Sequence, residues 1–275
     1  MKKSFTFENL NIAIPKRKSN SHKGLNGRVL IIAGSKGLGG AGIMASEASL
    51  YSGAGLVTLH THESNIEASL IRNPEVMALG ISKFFPISEN FNVILYGPGM
   101  QNDEWSNKMS EHLKNIPQES SLIIDAGGLQ HLKNHNLVIS NKTILTPHPG
   151  EASNLLEIPI SEIQKNREET AQKISEKFNA SCVILKGNKT VVYFKDKEET
   201  FVCEDGGPEL STGGTGDILC GVISSLLAQG ISLYEASLLG VAVHAKAGEI
   251  FADKYGEIGL NATAIIPIIR KLLNK

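Results

Sequence analysis

Residues 211–217, Ser-Thr-Gly-Gly-Thr-Gly-Asp, gather three glycines, three hydroxyl side chains and one carboxylate in a single stretch. A stretch of this kind forms a turn rather than a packed element, and its backbone N–H groups stay free. Directly after it, Ile218, Leu219, Val222, Ile223, Leu226 and Leu227 recur with the spacing of one helix face. The turn therefore opens a helix, where unpaired amides and the positive end of the dipole favour an anion. Asp217 at that helix start has two readings. It is a plain N-cap worth about 1 kcal/mol, or it takes a proton from a hydroxyl while a phosphoryl group is transferred.

Other turns carry polar groups at the ends of apolar runs. His148 stands between Pro147 and Pro149, which fix its backbone at the end of a strand. Either the imidazole is bonded to backbone in a rigid turn, or it faces a ligand, and the second is favoured. Asp125 ends a short apolar run and could be no more than its terminus. Gly37-x-Gly39-x-x-Gly42 has the form of a dinucleotide fingerprint, with Glu63 about 20 residues on. It starts too far beyond its strand, however, and the Tyr193…Lys197 pair of a short-chain dehydrogenase falls in a hairpin. His60 and His62 share a strand face without a third metal ligand. His131 and His135 lack the glutamate of a zinc protease, so a surface helix or loop is expected there. No Walker A lysine motif is present.

These turns need elements to hold them. Apolar runs at 29–33, 55–61, 76–80, 93–96, 122–124, 143–145 and 183–185 read as strands. Helices are expected from the glycine loop to about residue 52, and over 103–114 and 161–178, with Ser161 as cap. Two more follow over 233–255 and up to about 273. Residues 191–194 and 200–202 alternate around a charged turn as a hairpin. Functional turns at the C-terminal ends of strands predict an α/β, doubly wound, mostly parallel sheet with helices on both faces, in one domain spanning 1–275. Residues 1–20 are expected as a peripheral, solvated arm, and Lys16, Arg17, Lys18, Lys23 and Arg28 make a local basic cluster.

Composition narrows the function. The chain has 275 residues, 41% hydrophobic and 20% charged, as in ordinary soluble proteins, and a net charge of −1 argues against nucleic acid as a partner. Cys182, Cys203 and Cys220 lack metal spacing and read as reduced core residues of a cytoplasmic protein. The first eight residues, starting Met1-Lys2-Lys3, have no apolar segment of a signal peptide, and no run is long enough to span a membrane.

Taken together and in order, several stretches resemble the ADP/ATP-dependent NAD(P)H-hydrate dehydratases of the ribokinase-like fold. They are His22-Lys23-Gly24, the segments 27–35 and 52–57, Pro74-Glu75-Val76-Met77, Gly97-Pro98-Gly99, the segment 145–151, Lys186-Gly187-x-x-Thr190 and the segment 212–217. The likeness runs from about residue 20 to 265. It implies a stand-alone hydro-lyase, using ADP or alternatively ATP with Mg²⁺, that returns the S epimer of hydrated NADH or NADPH to the reduced cofactor. The ring hydroxyl is phosphorylated, and phosphate is then eliminated. On the family's pattern Asp217 is the base. Lys186, Gly187, Asn188, Lys189, Thr190 and Gly216 bind nucleotide, while Ala41, Gly97, Gly99, His148 and Asp217 surround the hydrate. Glu151 organises the metal through water. The glycine-rich 34–42 loop then meets a dinucleotide as substrate, not as hydride carrier.

Nucleotide and hydrate are expected on opposite sides of the 211–217 turn. A homo-oligomer, by resemblance a tetramer, is also implied, and small residues on the 233–255 helix suit either helix contacts between subunits or core packing within one. The chain departs from the family at Gly207-Pro208-Glu209, where Asn-Pro-Gly is usual, at Gly127 and at Asn188. Glu209 there either repels phosphate or points outward. A kinase of a small alcohol, of thiamine-precursor type, is the second enzyme reading. A Rossmann oxidoreductase and a non-catalytic nucleotide sensor rank below it.

Overall fold

Val29 and Ile31 face one side of the sheet and Leu30 and Ile32 the other, and all four are fully buried. A strand apolar on both faces belongs inside a parallel sheet covered twice, which is where this one lies. The computed structural model describes residues 2–17, 19–84, 86–87, 90–135, 137–139 and 142–275. In chain order the first half comprises β1 (Lys2–Phe5), β2 (Arg28–Ile32), α1 (Gly39–Tyr51), β3 (Leu56–Thr61), α2 (Ile66–Arg72), β4 (Met77–Gly80), β5 (Val93–Tyr96), α3 (Glu104–Met109), β6 (Ser121–Ile124) and α4 (Gly127–Asn134). The second comprises β7 (Thr143–Leu145), α5 (Pro149–Leu156), α6 (Ile160–Lys165), α7 (Arg167–Phe178), β8 (Cys182–Leu185), β9 (Val191–Phe194), β10 (Glu199–Cys203), α8 (Thr215–Ala228), α9 (Leu233–Tyr255) and α10 (Ile266–Leu273).

The strands form one sheet of order β1-β10-β9-β8-β7-β6-β5-β2-β3-β4. From β8 to β4 every pair is parallel, while β9 runs antiparallel to both of its neighbours. The expected hairpin is thus β9–β10, and it extends the main sheet. One face is covered by α1, α8, α9 and α10, and the other mainly by α3–α7. Helices α1 and α8 approach closely, because Gly221 places bare backbone where a side chain would strike the Ala45 carbonyl.

Several expectations need correction. The 161–178 helix is two helices, α6 and α7, broken at Asn166, and α6 starts after Pro159 rather than at a Ser161 cap. Residues 103–114 are α-helical only to Met109 and continue as a 3₁₀ turn to Asn115. The N-terminal arm is peripheral and mostly exposed, but one side of it is docked on the body. Residues Lys2–Phe5 pair with β10, Phe5 is buried, and Phe7, Leu10, Ile12 and Ile14 pack against the core. The apolar residues that recur through the arm supply that contact. Lys18 of the basic cluster and Met1 of the N-terminal reading lie outside the described residues.

His131 is not at the surface. It is buried in α4, with Nδ1 2.6 Å from the Tyr96 hydroxyl and Nε2 3.2 Å from Ser106 Oγ, and burial lowers its pKa to about 4. His60 is likewise buried and held neutral by burial, at about 4. The three cysteines are free and buried. Among the described residues, no helix is long and apolar enough to cross a membrane.

Candidate active site

Helix α8 starts at Thr215, with Gly214 as its N-cap in the left-handed region (φ 96°). That backbone conformation favours glycine, and a side chain there would also press on the end of Met44 in α1. The Thr215 hydroxyl donates to the Leu210 and Thr212 carbonyls (3.0 Å each), which ties the turn back on itself. Ile218 N–H, bonded to the Gly214 carbonyl (3.1 Å), is the first donor of the helix ladder. The amides before it are left for an external acceptor. Asp217 is the third residue of the helix rather than its N-cap, so capping does not account for it.

Beside this turn a cluster of charges collects from three strand ends. Lys186, just after β8, lies with Nζ 2.6 Å from Asp125 Oδ1 and 3.8 Å from Glu151 Oε2. Asp125, just after β6, also accepts the Thr146 hydroxyl at 2.7 Å. Lys186 Nζ passes close to Gly216, where an added side chain would meet it at 3.3 Å. Burial works against the Lys186 charge, but the Asp125 and Glu151 carboxylates outweigh it and keep the ammonium firmly protonated. Burial pushes Asp217 up to about 7, with Asp125 adding to the rise and Lys186 opposing it. Burial also raises Glu151, against the pull of Lys186. A carboxyl tuned close to neutral pH is suited to accept a proton.

His148 caps α5. Its Nδ1 accepts N–H bonds from Gly150 (2.9 Å) and Glu151 (3.2 Å), while Glu151 Oε2 accepts the His148 N–H (2.7 Å). The imidazole proton therefore sits on Nε2, and the side chain is half exposed. The backbone-bonded reading and the ligand-facing one are thus compatible. One nitrogen fixes the ring, and the other is a donor.

The glycine loops close the other wall. Gly34 N–H donates to the Pro98 carbonyl and Ser35 N–H to the Gly99 carbonyl, both at 2.9 Å. Gly99 (φ 64°) abuts Ala41, and Gly97 (φ 117°) abuts the Asp125 carbonyl. Gly99 thus meets Ala41 and Gly97 meets Asp125, while His148, through Glu151, borders the same charge cluster.

On its far side, Lys186, Gly187, Asn188, Lys189, Thr190 and Gly216 together line a cleft of about 380 Å³. The rest of its wall comes from 205–208, Leu210, Ser211, Thr215 and Leu219 of α8, and α9, and the volume lies within the range of small-molecule sites. All six expected nucleotide residues are brought to this cleft, although Lys189 also pairs with Glu204 at 2.7 Å.

Glu209 departs from expectation by not pointing outward. It is buried, and Oε1 accepts the Gly207 N–H at 2.9 Å, because the 3₁₀ turn Pro208–Leu210 folds it back under α9. The small residues of α9 serve the chain's own packing, Gly240 against Ile223 and Gly248 against Leu210. His244, on the same helix, was missed. It is buried and neutral, burial lowering it to about 4, and its Nε2–H donates to the Thr215 carbonyl at 2.9 Å. No local pattern in α9 announces it. Asp125 does carry a signal, an acidic residue at the carboxyl end of a parallel strand.

A family model described as NAD(P)H-hydrate dehydratase matches residues 29–271. The bifunctional NAD(P)H-hydrate repair enzyme of Vibrio cholerae is 36% identical over 264 residues, covering 95% of this chain and 52% of that protein. The chain thus spans about half the length of the first relatives it matches. The ADP-dependent (S)-NAD(P)H-hydrate dehydratase of Staphylococcus aureus is 37% identical over 259 residues, covering 91% of each. Among solved structures, the ADP/ATP-dependent NAD(P)H-hydrate dehydratase of Bacillus subtilis, co-crystallised with ATP and Mg²⁺, is similar with a TM-score of 0.89. It is 29% identical and covers 99% of this chain and 98% of that one. Ribokinase shares the architecture at an identity that speaks for fold alone.

Proposed function

This chain belongs to the NAD(P)H-hydrate dehydratase family, and from that premise we propose that it restores NADH and NADPH from their S-hydrates at the expense of ADP. The observation that carries the reading is the placement of Asp217. It follows Thr215 and Gly216, which line the 380 Å³ cleft, in the first turn of α8, and its carboxyl is raised to about 7 by burial and by Asp125, against the pull of Lys186. ADP occupies the cleft against Lys186–Thr190 and Gly216, and the hydrate lies against Ala41, Gly97, Gly99 and His148. Asp217 takes the proton of the ring hydroxyl as that oxygen attacks the β-phosphorus and AMP departs. The amides at Gly214–Gly216 and the Lys186 ammonium stabilise the charge on the moving phosphoryl group. Phosphate then leaves with the ring oxygen, a ring proton is lost and the double bond returns. Water has been converted into a far better leaving group.

A magnesium ion held mostly by phosphates and water needs one or two carboxylates, and Glu151, 3.8 Å from Lys186, fits that role through water. Held there through Glu151, the ion would supply positive charge that offsets the negative charge of the phosphates. Buried free thiols fit a reducing, cytoplasmic setting.

One domain over 1–275 is proposed, together with a homotetramer. The tetramer rests on family resemblance, since the small residues of α9 are spent inside the chain. Light scattering giving a monomeric mass would refute it. The function is tested by incubating the protein with hydrated cofactor and following absorbance in the reduced-nicotinamide band, ADP and ATP in parallel. Recovery that requires nucleotide supports it, and no recovery with either overturns it.

A further inference from the structure

The carboxyl ends of β2, β3 and β5 enclose a second depression, of about 470 Å³, walled by Lys36, His62, Gln101, Asp103, Trp105 and Lys108. It adjoins the glycine loops directly, for Gln101 N–H donates to Ser35 Oγ (3.3 Å) and Ser35 N–H to the Gly99 carbonyl (2.9 Å). In the strand order the charge cluster lies at β6, β7 and β8, the 380 Å³ cleft beyond it towards β10, and this depression on the opposite side. His62, following β3, is three strands from Asp125, following β6, a span of roughly 14 Å at the usual strand spacing. A mononucleotide anchored at the cluster falls short of that point, and a dinucleotide reaches it.

The lining suits such a ligand. His62 Nδ1 accepts the Ser64 N–H at 3.2 Å, so the imidazole proton sits on Nε2, the same arrangement as in His148. Lys36 is exposed on the glycine loop. The two acids that line it are already engaged. Asp103 accepts the Ser106 N–H (2.7 Å), and Glu104 pairs with Lys108 (2.7 Å). Trp105 is fixed by donating Nε1–H to the Ile81 carbonyl (2.6 Å), and its ring meets that of His62 edge-on at 6.1 Å.

We propose that this depression receives the adenylyl half of the hydrated dinucleotide, with Lys36 and the Nε2–H of His62 donating to its phosphate oxygens. The proposal rests on the function given above and adds the subsite that makes the substrate a dinucleotide. Two charge-assisted contacts made only by that half should favour hydrated NADH over hydrated reduced nicotinamide mononucleotide.

The test compares kcat/KM for those two hydrates at saturating ADP, in the wild type, Lys36→Ala and His62→Ala, with thermal melts as a check on folding. The wild type should prefer the dinucleotide by about 100-fold. Each variant should reduce that preference about tenfold, chiefly through KM, a loss of about 1.4 kcal/mol per contact. Should His62→Ala lose its turn and melt early, the exposed Lys36→Ala still decides the matter. Equal turnover of both hydrates by the wild type, or variants that leave the preference unchanged, overturns the subsite while the dehydratase reading stands. No ADP-driven recovery from either hydrate in the wild type overturns that reading itself.

Discussion

Replacing Lys186 with methionine keeps the length of the side chain and removes its charge. The native ammonium is 2.6 Å from Asp125 and 3.8 Å from Glu151, and it also lowers the Asp217 pKa. Its removal leaves three carboxyl groups in one poorly solvated site. Deleting one partner of a buried ion pair costs about 3–5 kcal/mol. The exposures of Lys186 (17%) and Asp125 (3%) call for little discount for solvent screening. For a chain of this size, a loss of that order lowers Tm by roughly 6–15 °C. The loss should be greatest near pH 8 and shrink in acid as the carboxyls take up protons.

Kinetics offer a second readout of the same charge. A unit charge about 4 Å away in a medium of effective dielectric about 20 is worth ~4 kcal/mol, and at twice the distance ~2 kcal/mol. Since 1.36 kcal/mol is one pKa unit, the Asp217 carboxyl should rise by at least about one unit. The acid limb of kcat/KM, which the raised Asp217 carboxyl should set near pH 7 in the wild type, should shift upward accordingly. Thermal melts and a pH–rate profile of ADP-driven recovery measure both effects. A variant with wild-type Tm at pH 8 and an unmoved acid limb would show that Lys186 does not neutralise the cluster.

Asp217→Asn should reduce turnover by about 10²–10⁴-fold or more while calorimetry finds ADP binding nearly unchanged, and near-wild-type turnover would remove Asp217 from the chemistry. The same variant has a stability signature. The folded carboxyl titrates at about 7 and the unfolded one at about 3.9, so wild-type stability falls as pH rises between those values. Asparagine does not titrate, so the variant should gain stability relative to wild type at pH 8, with the gain vanishing below about pH 4 in denaturation curves. Thr190→Ala removes a hydroxyl that lines the cleft and donates to the Gly187 carbonyl (3.1 Å). It should raise the KM for ADP about fivefold and leave that for hydrate nearly unchanged. His148→Ala should do the reverse, and damage to one ligand's KM by both variants would refute the two-sided arrangement. Gly97→Ala forces a side chain against the Asp125 carbonyl at φ 117°, so it should lower both Tm and activity, and a wild-type melt would contradict the crowding.

The parts of the site most legible in sequence were those whose chemistry is local. A glycine–hydroxyl–aspartate turn before an apolar helical face is visible without neighbours, and so is a histidine held between prolines. The central strands could be read because burial on both faces leaves an uninterrupted apolar run, as in Val93–Tyr96. What escaped depends on partners far along the chain. The bond from His244 to Thr215 spans 29 residues, and the Lys186–Asp125 pair spans 61. Asn166 broke a helix whose polar face looked continuous, and β1 found its partner at residues 200–203. The fate of Glu209 was set by one backbone amide, Gly207 N–H, that no spacing rule identifies.

The central claim is that the ring hydroxyl itself is phosphorylated between the cleft and the glycine loops. Its most direct test is to prepare the hydrate in ¹⁸O-water, so that the ring hydroxyl carries the label, and let the enzyme turn it over with ADP. Mass spectrometry of the released inorganic phosphate should find one ¹⁸O in each molecule, with AMP formed in equal amount. Unlabelled phosphate, with the ¹⁸O lost to water, would contradict the account.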